Sequence, residues 1–178
     1  MTGAQLSVAT LLEQARAATG LSDFGDDWFV TPLTRLVEDV NRDAGLIAPE
    51  AGAGGRILGA LMDRLKLVQY FKDYPDAGAE PIDVAVAIIG LPRTGSTVLH
   101  RLLASSPKLT SPLWWETAFP LPFEGESPTD PAPRIQMAHQ VIDHLLTEWP
   151  DFESIDPMEA EVVAEEVILL DRTFLSTT

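Results

Sequence analysis

Apolar residues at three- and four-residue spacing predict a run of helices on either side of one continuous apolar stretch. Residues 7–19 carry the first helical repeat, and Gly20 supplies its stop. A second helix follows an acidic-aromatic connection at 23–29, with Thr31 as N-cap and Pro32 in the first helical position. Its apolar side is Leu33, Leu36, Val37, Val40 and Ala44, and Gly45 ends it. A third helix is expected over about residues 56–71, and the Pro- and Gly-bearing segment 73–81 turns the chain out of it. Val84 to Ile89 then breaks the pattern with an apolar, β-branched run, which predicts a strand buried on both faces of a parallel sheet.

The strand stops at Gly90-Leu-Pro92, and helical spacing resumes from Gly95 with Val98, Leu99, Leu102 and Leu103 on one face. Beyond it, residues 110–116 read as a short second strand or extended segment, and 117–133 as an ordered proline-rich loop. Asp130 and Pro131 start a helix that Pro150 closes. Asp156-Pro-Met-Glu159 has the spacing of a capping box and predicts a last helix continuing through Val163, Val167, Leu170 and Phe174. A lone strand cannot satisfy its own backbone, so its partners must come from weaker segments or from beyond residue 178.

Strand, Gly-containing loop and helix start together form an anion-binding device, because free N–H groups and the helix dipole converge on one point. Arg93 adds a cation, and Thr94, Ser96 and Thr97 add hydroxyls. The ligand this combination suits is a phosphate or a sulfate. Charge sharpens the expectation. The 178-residue chain has a formal net charge of −15, which argues against nucleic acid or anionic lipid as partner. Yet Val84 to Trp115 contains no Asp or Glu, while Arg93, Arg101 and Lys108 fall inside it. Residues 135–171 show the reverse, with ten carboxylates and no Lys or Arg. There is no cysteine, which excludes disulfides and thiolate chemistry. His139 and His144 stand five apart on a helix and make poor metal ligands, so no metal site is expected. No apolar stretch reaches the ~18 residues of a membrane span and no leader pattern opens the chain, so a cytoplasmic protein is expected.

Gly90 to Thr97 has the glycine spacing of the nucleotide-binding pattern G-x-x-x-x-G-K-[ST], but Ser96 occupies the lysine position. The cation is Arg93, three residues earlier, where a planar guanidinium suits a tetrahedral oxyanion. Here the chain resembles the sulfotransferases that use 3′-phosphoadenosine 5′-phosphosulfate (PAPS), in their bacterial branch. The residues that carry the likeness are Gly90-Leu-Pro-Arg-Thr-Gly-Ser-Thr97 and the following Leu99-His-Arg-Leu-Leu103. Leu21 to Asp26, Asp63-Arg-Leu65, Pro112-Leu-Trp-Trp-Glu116, Pro120-Leu-Pro122 and the stretch from Asp156 to Ser176 also resemble family segments.

The resemblance implies an α/β, P-loop-like (nucleoside-triphosphate-hydrolase-like) fold. Its three-layer parallel sheet with helices would be preceded by an all-helical segment over 1–80, with 81–178 the first part of the sulfotransferase domain. It implies that Pro92, Arg93, Thr94, Gly95, Ser96 and Thr97 bind the 5′-phosphosulfate of PAPS, with Arg93 stabilising charge on the bridging oxygen. Glu116, 23 residues past Arg93 and preceded by two tryptophans, is the expected base for a small-molecule, lipid or carbohydrate hydroxyl; the other reading is a carboxylate that starts a helix. His100 is expected to pack or to support a site residue from behind rather than act as the base, and Glu165 and Glu166 to lie on a solvated or interface face. The family's 3′-phosphate and adenine contacts come later than residue 178, so the nucleotide-recognition half is expected to be missing and the domain incomplete. A degenerate P-loop kinase or NTPase, and a non-catalytic anion-binding remnant, stay open as alternatives, as does a homo-oligomer.

Overall fold

In the computed structural model, which describes residues 5–42, 52–91, 94–127, 129–152 and 158–175, the N-terminal apolar repeats fold as helices. Two units are distinguished: residues 1–80 with 170–178, and residues 81–169.

In the first unit α1 (Val8–Thr19) is closed by Gly20 in the left-handed region, at the expected stop. A 3-10 turn at Asp27–Phe29 runs directly into α2 (Val30–Arg42). Thr31 therefore lies inside the first turn instead of capping it, with Pro32 beside it where a missing N–H costs little. The expected stop at Gly45 lies outside the described residues. α3 (Ala53–Asp73) begins three residues before Arg56, and a short α4 (Pro75–Ala79) follows. α1 packs on α2 and α3. Leu11, Ala15, Leu33, Val37, Ile57, Leu61 and Leu65 form the core, with Phe24, Phe29 and Phe174 packed among them.

Arg64 fastens the connection between α1 and α2. Its Nε donates to Phe24 O at 2.8 Å and its Nη2 to Asp26 O at 3.2 Å, while the guanidinium lies over the Phe29 ring. Burial pushes its pKa below the usual arginine value, and the Asp26 charge opposes that shift. Asp23 accepts the Gly25 N–H at 2.8 Å and pairs with Lys72. Gly25 has φ +72°, and a Cβ there would come within 3.2 Å of Val68, so the turn requires glycine on two counts. Asp63 and Arg172 make a second tie: Nε and Nη2 of Arg172 lie 3.2 and 3.1 Å from Asp63 Oδ2. That pair seats the 3-10 turn Asp171–Thr173 against α3, and Phe174 stacks its ring on Phe29.

The second unit departs from expectation in three places. Residues 81–91 form no strand: they have no regular secondary structure and are exposed apart from half-buried Ile88. Val84 is 71% exposed and Ile89 94%. The β-branched run has the composition of a central strand, but no neighbouring strand among the described residues pairs with its backbone. The sheet layer of the P-loop-like expectation is therefore not formed by the described residues. α5 (Ser96–Ala104) is present where helical spacing resumes, but Val98, Leu99 and Leu102 of its apolar face are exposed.

Second, the extended segment expected over 110–116 gives way at Trp114 to α6 (Trp114–Ala118). Leu113 is extended, and Glu116 returns its carboxylate to the Leu113 N–H at 2.7 Å, which starts the helix. Third, the long last helix is not formed. Asp156 lies outside the described residues, and Glu159 is not helical. Residues 160–164 instead run antiparallel to 112–115: Trp115 N–H donates to Ala160 O (3.0 Å), Trp114 N–H to Val162 O (2.9 Å) and Ala164 N–H to Pro112 O (2.9 Å). Beyond them a short α-helical turn, Val167–Leu170, is followed by the 3-10 turn Asp171–Thr173, and Phe174 at φ 59° stands in the left-handed region. Tertiary pairing overrides a local helix preference here.

α7 (Ala132–Glu148) does start and stop as predicted, with Asp130 Oδ1 accepting the Ala132 N–H at 3.1 Å. It packs on α6 through Trp115, Ala138 and Ile142, joined by Ala160. The proline-rich loop between them is held by Arg134. Its Nε donates to Glu126 Oε1 at 2.6 Å, its Nη1 reaches Phe119 O at 3.2 Å, and its guanidinium covers the Trp115 ring at 4.9 Å. The Glu126 side chain is 1% exposed.

Two outcomes follow. Removing one member of a buried ion pair strands the other, so Glu126→Ala is expected to cost about 3–5 kcal/mol, measured by urea unfolding of the whole chain. A paired replacement, Glu126→Leu with Arg134→Met, is expected to cost much less. At Asp23, the Lys72 hydrogen bond foremost, then the Gly25 N–H, holds the carboxyl below its ordinary value. The folded state thus binds fewer protons there than the unfolded chain. The Asp23 contribution is complete above the unfolded pKa, ~3.9, and is lost as pH falls through the lower folded value. Asp23→Asn should lower the melting temperature slightly at pH 7, and the difference should shrink on acidification below the ordinary aspartate range.

Candidate functional site

The loop between the apolar segment and α5 is positioned by its own short-range bonds. Thr94 Oγ1 donates to Leu91 O at 2.6 Å, and a Cβ on Gly90 would stand 3.1 Å from that hydroxyl oxygen. Gly95 is the N-cap of α5 at φ +90°, a conformation in which an L-residue is strained. The first helical bond runs from the Leu99 N–H to Gly95 O at 3.1 Å. The N–H groups of Ser96, Thr97 and Val98 precede that bond, and no side chain caps them among the described residues. The first turn of α5 carries no acid of its own. Three aligned donors, a favourable helix dipole and the Ser96 and Thr97 hydroxyls fit a tetrahedral oxyanion. Pro92 and Arg93, the cation of the sequence motif, lie outside the described residues.

Two further segments, residues 111–116 and 160–165, meet this helix within the same unit. His100, one turn into α5, hydrogen-bonds through Nε2 to the Ser111 hydroxyl. The next peptide, Pro112–Leu113, is held from both sides: Ala164 N–H donates to its carbonyl, and Glu116 Oε2 accepts its N–H. Glu116 is half-buried, and its Oε1 has no hydrogen bond among the described residues. One residue past Ala164, Glu165 Oε1 lies 3.5 Å from Thr97 Oγ1, which donates to it. Glu116, in the first turn of α6, and Glu165 therefore flank the antiparallel bridge between Leu113 and Val163, Glu165 lying beside the first turn of α5.

The expected residues are distributed as follows. Thr94, Gly95, Ser96 and Thr97 form the start of α5. Glu116 lies on the segment that His100 ties to α5, and its carboxylate starts α6, as in the helix-start reading. His100 is in a polar contact with Ser111. Glu165 reaches Thr97, a contact that sequence inspection missed because 68 residues separate the two. His139 faces Glu161 at 3.8 Å, and no group of three metal-ligating side chains occurs among the described residues. No helix among the described residues is long and apolar enough to cross a membrane. A hollow of about 160 Å³ lined by Leu36, Ile57, Arg56 and Phe174 lies in the first unit.

The sequence profile of the sulfotransferase family matches residues 85–178, which include the loop, α5 and both carboxylates. The chain belongs to the sulfotransferase family. Its structure is similar to that of sulfotransferase STF1 from Mycobacterium tuberculosis H37Rv, with a TM-score of 0.67 and 26% identity over 97% of this chain and 48% of that one. Sulfotransferase STF9 from Mycobacterium avium is similar in fold, with a TM-score of 0.71 and 23% identity over 98% of this chain and 45% of the other. No curated protein sequence matches it. The chain thus spans about half the length of these two sulfotransferases.

The strain at Gly95 gives a direct check on the geometry of this family loop. Gly95→Ala should destabilise the first turn of α5 by about 1–2 kcal/mol, seen as a ~5- to 30-fold faster hydrogen exchange of the Leu99 N–H.

Proposed function

We propose that this chain carries the sulfuryl-transfer end of a PAPS-dependent sulfotransferase site, with residues 92–97 receiving the 5′-phosphosulfate and a hydroxyl compound as acceptor. The observation that carries the reading is the uncapped N-terminus of α5, reached through the left-handed Gly95, within the matched family region. The donor set is chemically suited to the group: backbone N–H, hydroxyls and one arginine, all of which donate to oxyanions. When bound, PAPS supplies a sulfuryl group activated by its anhydride link to phosphate.

The chain's own residues then have separable tasks. Ser96, Thr97 and the N–H groups of the first α5 turn orient the oxyanion and stabilise charge there. Arg93, two residues before Gly95 in sequence, supplies the guanidinium for the bridging oxygen. Glu116 accepts the proton of the acceptor hydroxyl on Oε1, while Oε2 stays on the Leu113 N–H and fixes the carboxylate. His100 holds Ser111 and so the segment that carries Glu116. The acceptor is a small-molecule, lipid or carbohydrate hydroxyl. A cytoplasmic location and self-association through the exposed apolar run at 82–91 complete the proposal.

Calorimetry with adenosine 3′,5′-bisphosphate and with ATP–Mg tests the reading. The bisphosphate should bind more tightly than ATP–Mg, and Arg93→Ala should weaken it at least tenfold. Tighter ATP–Mg binding would point to a nucleotide kinase or hydrolase and overturn the proposal. In a sulfuryl-transfer assay, Glu116→Gln should lower kcat about 10²- to 10⁴-fold while bisphosphate affinity changes less than twofold.

A further inference from the structure

The acid-free window around the loop is breached in the folded chain by one carboxylate. No Asp or Glu occurs from Val84 to Trp115, and the first turn of α5 contains none. Yet Glu165 Oε1 stands 3.5 Å from the Thr97 hydroxyl, in that turn. The placement does not come from a loose tail. Glu165 directly follows Ala164, whose N–H is bonded to Pro112 O, and the adjacent Val163 is bridged to Leu113. Register along that pairing delivers the carboxylate to the helix start.

A carboxylate there has two effects of the same sign. It accepts the hydrogen bond of the Thr97 hydroxyl, a donor that an incoming oxyanion needs. Its charge also satisfies the positive end of the helix and repels a second anion arriving at the same turn. We infer that Glu165 is an internal placeholder for the donor anion, occupying the α5 N-terminus until the anion displaces it. The inference rests on the proposed anion role of the loop. It adds a control on that role: the free chain presents a weakened site, and the ligand must move Glu165 away from Thr97 to bind fully. Binding and Glu165 contact are then reciprocally linked, each opposing the other.

The probe is inorganic pyrophosphate, titrated by calorimetry at low ionic strength into the wild-type chain, Glu165→Gln, Thr97→Val and Arg93→Ala. Glu165→Gln is expected to bind about 2- to 5-fold more tightly than wild type, the factor for one charge at a helix end. Thr97→Val and Arg93→Ala are expected to bind more weakly. Without pyrophosphate, Glu165→Gln should melt lower than wild type, and saturating pyrophosphate should close the gap. If Arg93→Ala weakens binding but Glu165→Gln leaves it unchanged or weakens it, the placeholder is overturned while the anion site stands. If wild type and every variant bind no pyrophosphate, the loop reading falls, and the placeholder with it.

Discussion

One peptide unit, Pro112–Leu113, holds the second unit's chemistry together. Its carbonyl is bonded by Ala164 and its N–H by Glu116, and Ser111 just before it is bonded by His100. Backbone groups brought away from water must be paired, and here each partner comes from a different element. The consequence is geometric: α5, the start of α6 and the segment after Ala160 are mutually positioned through less than one helical turn of chain. The carboxylate proposed as the base is also the one that starts α6, so its bond to the Leu113 N–H fixes its orientation.

The first unit follows a different rule. Its helices are fastened by arginines whose guanidinium groups reach backbone carbonyls and aromatic faces. Arg64 clasps the Phe24 and Asp26 carbonyls, and Arg172 bonds Asp63 on the same helix. Asp63 and Arg64, adjacent in sequence, therefore bind two separate segments of the chain. A planar, always charged group with several fixed donors suits carbonyl-rich turns better than an ammonium would. The likeness of both Asp63-Arg-Leu65 and Leu21–Asp26 to family segments acquires a physical meaning here, because Arg64 is where the two meet.

Legibility in the sequence tracked the range of the interaction. α1 and α7 were readable with their ends, because Gly20, Asp130 and Pro150 act within a turn of where they stand. The start of α5 was readable for the same reason: Gly95 and the resumption of helical spacing are consecutive. The last helix was misread because Val162 and Val163 are paired with residues 48 and 50 positions earlier, and no local signal marks that. The run at Val84–Ile89 has the composition of a strand, yet strand formation is a property of a pair, and no paired neighbour is present among the described residues. Glu126–Arg134 escaped notice because a charged pair in a proline-rich loop looks solvated until Trp115 is seen to cover it.

The return of Asp171–Phe174 to the first unit has a temporal side. Phe29 and α3 are complete early in synthesis, but Phe174 and Arg172, which cover and tie them, emerge roughly a hundred residues later. At ~5–20 residues per second, the early helices wait on the order of ten seconds for their last core aromatic. The first unit is continuous in space but discontinuous in sequence. A chain made in order from its N-terminus must therefore traverse the whole anion-loop region before that core can close.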